Sequence, residues 1–245
     1  MKKYDLHVHT SEVSRCAHTK AEDLVKAYKK LDFTGIVITD HFGDPSYLNS
    51  YGNIPWQDKV DIFLEGYQKA KRAGDEVGLD VFLGVELRLV PKIEFIIYGL
   101  DKSFLMDHEN LQLLSPKELY KLVTQHDLLM YQAHPFRNGV ELAPYQYMSG
   151  IEVINGGQPE EVNQKAYTFA KEKQLRCIAG SDNHRNGADK CGIMTESRIK
   201  SSKDLLQILR TEDYKIFCGL PYGQDNPIRV DERYIMTKRR LLSED

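Results

Sequence analysis

Residues 5–10 read DLHVHT, two histidines on alternate positions at the end of a short apolar run. Side chains two apart on a strand share a face, so His7 and His9 project together from the strand's end. Two imidazoles so placed can chelate one metal ion, with the remaining ligands drawn from elsewhere in the chain. The segment after this strand sets the fold class. Thr19 and Glu22 have the spacing of a capping box, and Leu24, Val25, Tyr28 and Leu31 recur at helical intervals. GIVITDH at 35–41 then reads as a second strand.

The alternation continues along the chain. LDVFLGVEL (79–87), EFIIYGL (94–100), LLMYQAHP (128–135), GIEVIN (150–155), LRCIAGSDNH (175–184) and YKIFCG (214–219) read as further strands. Helical patterns lie between them: a long one from about Gln57 to Val77, one over 116–125, one from Glu160 to Lys173 and one from Lys203 to Arg210. Ser115, Pro116 and Glu118 supply the N-cap, first-turn proline and capping-box acid of the second. Strands alternating with helices indicate an α/β fold with a parallel sheet or barrel.

The 33 basic and 36 acidic residues give a net charge of −3 with no basic block, which argues against binding along a nucleic-acid backbone. No apolar run approaches the ~20 residues of a membrane span, and the start MKKYDLHVHT has no apolar leader segment. Cys16, Cys177, Cys191 and Cys218 form no CxxC pair, so reduced thiols and a cytoplasmic location are expected. One domain is expected over 1–245, with the charged stretch 221–245 as a C-terminal extension lacking periodicity.

On this map His7 and His9 close the first strand, Asp40 and His41 follow the second, and Glu86 ends the third. His134 ends the fifth strand, and Asp182 and His184 follow the seventh. In a parallel α/β fold these positions converge on the carboxyl face of the sheet. Imidazoles and carboxylates suit Zn, Mn or Fe, and Glu86 could bridge two ions at the ~3.5–4 Å separation of two-metal hydrolases. His108 and His126 lie away from strand ends and are not expected to bind metal. Asp40 would either orient a neighbouring histidine or cap a turn, and Asn155 would contact substrate or cap a turn.

The ordered set DLHVHT, ITDH, GVE, AHP and GSDNH resembles the PHP (polymerase and histidinol phosphatase) superfamily. The resemblance implies a distorted seven-stranded β/α barrel, TIM-barrel-like, with two or three divalent ions at its C-terminal face. It also implies that His7, His9, Glu86 and Asp182 form one site, that Glu86 bridges to a second site using His134, and that His41 and His184 serve a third. The ligand completing the third site would follow the paired histidines, where His18 is the first candidate, with Cys16 and Glu12 as alternatives. Many members place a further histidine on the fourth strand, but KIEFIIYGL has none. Glu94 would compensate only if its carboxylate faced the pocket, whereas a glutamate at a strand start is expected at the surface.

The resemblance implies hydrolysis of a phosphate ester by a metal-activated hydroxide, with Glu86, Asp182 and His184 as catalytic groups. A small phosphomonoester such as histidinol phosphate or a nucleotide is the expected substrate, and Arg137 in AHPFRNG is placed to grip its phosphate. Two other readings stand beside it. One is amidohydrolase-type C–N hydrolysis, although no strand end carries the lysine such enzymes carbamylate. The other is a metal-stabilised regulatory domain without catalysis.

Overall fold

The computed structural model describes residues 1–43, 52–90, 92–185 and 191–218. The stretch 221–245, expected to be an extension, lies outside the described residues. The strands are β1 (Lys2–Val8), β2 (Gly35–Ile38), β3 (His41–Phe42), β4 (Asp80–Leu89), β5 (Ile93–Tyr98), β6 (Leu129–Gln132), β7 (Gly150–Asn155), β8 (Arg176–Gly180), β9 (Cys191–Thr195) and β10 (Lys215–Cys218). The helices are α1 (Ala21–Lys30), α2 (Trp56–Phe63), α3 (Glu65–Val77), α4 (Lys102–Asp107), α5 (Pro116–Gln125), α6 (Glu160–Lys173) and α7 (Ser202–Thr211).

One sheet runs in the order β10-β9-β1-β2-β4-β5-β6-β7-β8, with β3 paired to β4. Beyond β8 the chain returns beside β1: Asp182 N–H donates to the His7 carbonyl at 2.8 Å, and Val8 bridges to Asn183. The sheet is therefore a nearly closed barrel, as expected, although its path holds nine strands rather than seven. Nor is it wholly parallel. β5 runs antiparallel to both β4 and β6, and β9 runs antiparallel to β1 and β10.

β2, β5, β6 and β7 are buried along their whole length, as strands covered on both faces must be. One core fills the barrel around Leu6, Val85, Ile97, Tyr98, Tyr131 and Val153. A second lies between the sheet and α1 and α3, where Leu24, Val25 and Tyr28 meet Ile36, Ile38, Ala70 and Ala73. Burying Leu24 or Val25 contributes about 1.5–3 kcal/mol each.

Local signals differ in how they are used. The capping box at Ser115 and Glu118 forms as expected. The Thr19–Glu22 box does not: α1 begins after Lys20, and the Glu12 carboxylate accepts the Ala21 N–H at 3.0 Å. The long helix expected from Gln57 to Val77 is divided at Leu64 into α2 and α3. Cys191 and Cys218 do not remain thiols. They face each other in the β9–β10 register and form a disulfide, a pairing that only the antiparallel contact of distant segments creates. Cys16 and Cys177 are free. Among the described residues no helix is long and apolar enough to cross a membrane.

Candidate metal centre

Because the strand ends gather at one barrel mouth, the polar residues of distant segments meet there. Among the described residues three groups of ligand atoms result, each within 4.8 Å: His7, His9, Glu86 and Asp182; Glu86, Glu94 and His134; and His9, His41 and His184. Glu86 belongs to the first two and His9 to the first and third. Glu86 presents Oε2 to His7 Nε2 at 3.4 Å, His9 Nε2 at 3.4 Å and His41 Nδ1 at 2.8 Å, and Oε1 to His134 Nε2 at 2.7 Å. Asp182 Oδ1 lies 3.4 Å from His7 Nε2 and 3.2 Å from His9 Nε2.

Glu94 reaches this site because β5 is reversed. The amino end of an antiparallel strand lies beside the carboxyl ends of its neighbours, so the start of β5 opens onto the same mouth. Glu94 is buried, and its Oε2 lies 3.6 Å from His134 Nε2. The expected surface position is thus corrected: KIEFIIYGL, which has no histidine, contributes a carboxylate instead.

His18 does not join these groups. Its side chain is exposed, while its backbone N–H donates to the His184 carbonyl at 2.7 Å. Glu12 is engaged at the start of α1. Of the three candidates, Cys16 is the one whose side chain interacts with His184 and His41, and against the effect of burial these two histidines lower its thiol pKa to about 6.

Residues beyond the groups hold the histidines in place. Glu152, in mid-β7, accepts from His7 Nδ1 at 3.0 Å and from the His134 N–H at 2.8 Å. Asn155 donates to Glu152 at 2.9 Å and to Asp182 Oδ2 at 3.2 Å. Asp40 accepts from Thr10 N–H and Ser14 Oγ, each at 2.7 Å, and Ser14 Oγ in turn lies 3.1 Å from His9 Nδ1. Asp40 therefore orients a histidine, through Ser14. Gly66 of α3 packs so closely on this pair that a Cβ there would lie 2.1 Å from Thr10 Oγ1. Neither Glu152 nor Ser14 stood out in the sequence, because a strand-interior glutamate and a loop serine carry no ligand spacing.

The backbone is also bent to the site. His134 has φ 25° and Asp182 φ 55°, left-handed values that typically store about 1–3 kcal/mol each. Packing elsewhere must offset that strain, and it turns both side chains off their strands.

The electrostatics follow from crowding buried charge. Burial opposes a charge on His7, but Asp182, Glu152 and Glu86 outweigh it and raise its pKa well above the ordinary value. Burial and His41 together lower His9 to about 3. Burial would raise Glu86, yet His41 and His7 hold it well below the usual carboxylate range. Asp182 is likewise low, with His7 overcoming burial, whereas burial and then Glu86 raise Glu94.

Among the described residues, seven buried side-chain N or O atoms lack a hydrogen-bond partner, and six belong to this site: His7 Nε2, His9 Nε2, Glu86 Oε2, Glu94 Oε2, His134 Nδ1 and Asp182 Oδ1. Leaving such atoms unpaired costs about 1–3 kcal/mol apiece. The orphaned nitrogens of His7 and His9 and oxygens of Glu86, Glu94 and Asp182, grouped with His134, fit divalent cations.

The family pattern described as PHP domain matches residues 5–211. The chain belongs to the PHP domain family. Its fold is similar to a two-domain Bacteroides vulgatus protein containing a predicted PHP-like metal-dependent phosphoesterase: 18% identity, TM-score 0.65, 89% of this chain and 64% of that one. This PHP-family chain thus spans less than two thirds of that protein's length. It is also similar to a Bifidobacterium adolescentis protein assigned as a metal-dependent phosphoesterase, with 17% identity, TM-score 0.54, and 85% and 96% of the two chains covered. An amidohydrolase from Chromobacterium violaceum, holding sulfate and no metal, matches at 12% identity and TM-score 0.55, covering 84% and 96%. No curated protein matches the chain.

Arg137 lies at the edge of this PHP-family site. Its guanidinium is about half exposed and stands 3.9 Å from Glu94 Oε2, on the loop that leaves β6.

Proposed function

We propose that the chain is a metal-dependent phosphoesterase acting on a small phosphomonoester, of the kind represented by histidinol phosphate or a nucleotide. The observation that carries this reading is the convergence of three His and carboxylate ligand groups at one barrel mouth, several of their buried atoms without a hydrogen-bond partner, with a partly exposed guanidinium at its edge. His7, His9, Glu86 and Asp182 would hold one divalent ion, Glu86, Glu94 and His134 a second, and His41 and His184 would serve a third. Such ions supply Lewis acidity and an activated water at neutral pH.

The chain's own residues set the rest of the chemistry. Glu152 accepts the Nδ1 proton of His7, and Ser14 holds His9 Nδ1, so both imidazoles turn Nε2 toward the ligand groups. Glu86 and Asp182 stay ionised. Arg137, half exposed beside Glu94, would receive the phosphoryl oxygens, and His184 would stand at the more open side of the mouth. A small phosphorylated metabolite as partner completes the proposal.

The test is release of inorganic phosphate from a panel of phosphorylated metabolites after reconstitution with Mn, Zn or Fe. Turnover of one compound far above the others supports the reading, and no turnover with any metal sinks it. The Chromobacterium violaceum neighbour favours a second reading, C–N hydrolysis, and a panel of N-acyl and cyclic amide substrates distinguishes it. Tight metal content without turnover on either panel would indicate a regulatory domain.

A further inference from the structure

Glu94 stands between two arginines. Its Oε1 lies 3.8 Å from Arg88 Nε and its Oε2 3.9 Å from Arg137 Nη1, so one buried carboxylate faces two half-exposed guanidiniums. Both contacts are ion pairs too long for hydrogen bonds, and among the described residues neither guanidinium donates one. Arg198 is paired differently, its Nε and Nη2 donating to the two oxygens of Asp80 at 2.7 and 2.8 Å. The donor forks of Arg88 and Arg137 are therefore open to another acceptor.

The two arginines reach Glu94 from different depths. Arg137 is tied to a ligand residue, since its N–H donates to the His134 carbonyl at 3.2 Å. Arg88 stands on β4 two residues past Glu86, so it shares the face of Glu86 but lies about 7 Å farther along the strand, toward solvent. The register agrees: Arg88 is directly opposite Glu94 across the β4–β5 contact, and opposed residues share a face. Two guanidiniums and one carboxylate leave one positive charge at this edge of the mouth. The adjoining turn adds none, because Lys92 and Glu141, joined by the Glu141 N–H and the Lys92 carbonyl at 3.0 Å, are of opposite sign.

We propose that Arg88 is a specificity-determining residue that receives a carboxylate on the body of the substrate, while Arg137 serves the phosphate. One surplus positive charge matches a singly charged anion, and the planar fork of a guanidinium suits the two oxygens of a carboxylate. The substrate class is then a phosphorylated carboxylic acid whose two anionic groups are separated by about 7 Å, the two-residue step from Glu86 to Arg88. The inference rests on the phosphoesterase reading and narrows it away from monoesters with neutral or cationic bodies.

The experiment uses the full chain reconstituted with Mn, Zn or Fe, and ω-phosphooxyalkanoic acids of increasing chain length, each beside its primary amide. At the preferred length the acid should exceed its amide about 10-fold in kcat/KM, the lower end for a charge-assisted contact because Arg88 is half exposed. This contrast reads the parent chain and needs no variant. Arg88→Gln should erase the preference and Arg88→Glu should invert it, a change of sign that lost packing does not produce. Arg137→Ala should lower acid and amide together and keep their ratio. Calorimetry with the non-hydrolysable phosphonate analogues of the same acids and amides reads binding in parallel. Equal hydrolysis of acid and amide, with equal binding of their phosphonates, would overturn the role of Arg88 and leave the phosphoesterase reading standing. Arg88-dependent binding of the phosphonate acids without hydrolysis of any ester would refute that reading and keep the carboxylate site. A bisphosphate preferred over the acid of the same length would overturn the carboxylate assignment.

Discussion

The group of His7, His9, Glu86 and Asp182 and the group of His9, His41 and His184 share a histidine yet are built differently. In the first, every side chain is at most 8% exposed. In the second, His41 and His184 are 28% and 23% exposed. The buried group is attached to strand ends and braced by Glu152 and Asn155, so its geometry comes with the barrel itself. The rim group is tied instead to the loop after β1, by Ser14 Oγ, which meets His9 Nδ1 and the His41 N–H, and by the His18 N–H bond to the His184 carbonyl. A buried, braced group should hold its ion tightly and the rim group should exchange it, so the mouth combines a fixed site with an adjustable one.

Breaking the shared or buried members should have the largest effect. His9→Ala or Asp182→Asn should lower turnover by about 100- to 1,000-fold or more, with circular dichroism little changed. Near-parental turnover with full metal content would show that the altered residue is no essential ligand. Glu152→Gln touches the buried group only through His7 and His134. It should weaken binding of the tightest ion by about 10- to 100-fold, measured by chelator competition, and leave the rim equivalent nearly unaltered. Equal loss from both groups would erase the distinction between them. In the parent chain the same titration should strip the rim equivalent first.

A smaller effect is expected at Arg137. Arg137→Ala should reduce kcat/KM on a phosphomonoester by about 10-fold, the lower end of charge-assisted contacts because the guanidinium is half exposed. A singly charged diester should lose less, and metal content should not change. Equal loss on both substrates would leave phosphate recognition to the ions.

The smallest and most diagnostic effect is a sign. His7, His41 and His134 have raised pKa values, and Asp5, fully buried, is pushed up to about 7. In each case the folded, metal-free chain binds more protons than the unfolded one. Stability of that form should therefore fall as pH rises from about 6 to 8, with His9, whose lowered pKa has the opposite sign, offsetting part of the fall. Metal ions displace the histidine protons, so the loaded chain should lose less stability over the same window. Melting temperatures with parallel pH slopes in both forms would contradict this account.

Sequence reading reached the barrel because strand and helix periodicity is local. It reached His7, His9, His41, Glu86, His134, Asp182 and His184 because each stands at or just past the end of an apolar run, and the fold brings those ends together. Strand direction is not local. The reversal of β5 depends on which neighbours its edge meets, and it alone carries Glu94 to the mouth. The same holds for β9, whose antiparallel pairing with β10 joins Cys191 to Cys218.

The amino-acid sequence by itself determined the elements, the carboxyl-end placement of most ligand candidates and the chemistry those side chains can offer, since these follow from periodicity and residue type. Only the tertiary structure decided that Cys16 rather than His18 faces His41 and His184, that Glu94 points inward and that Glu152 braces two histidines at once. Those outcomes turn on strand direction and on where a loop is pinned, and both are set by contacts between segments far apart in the chain.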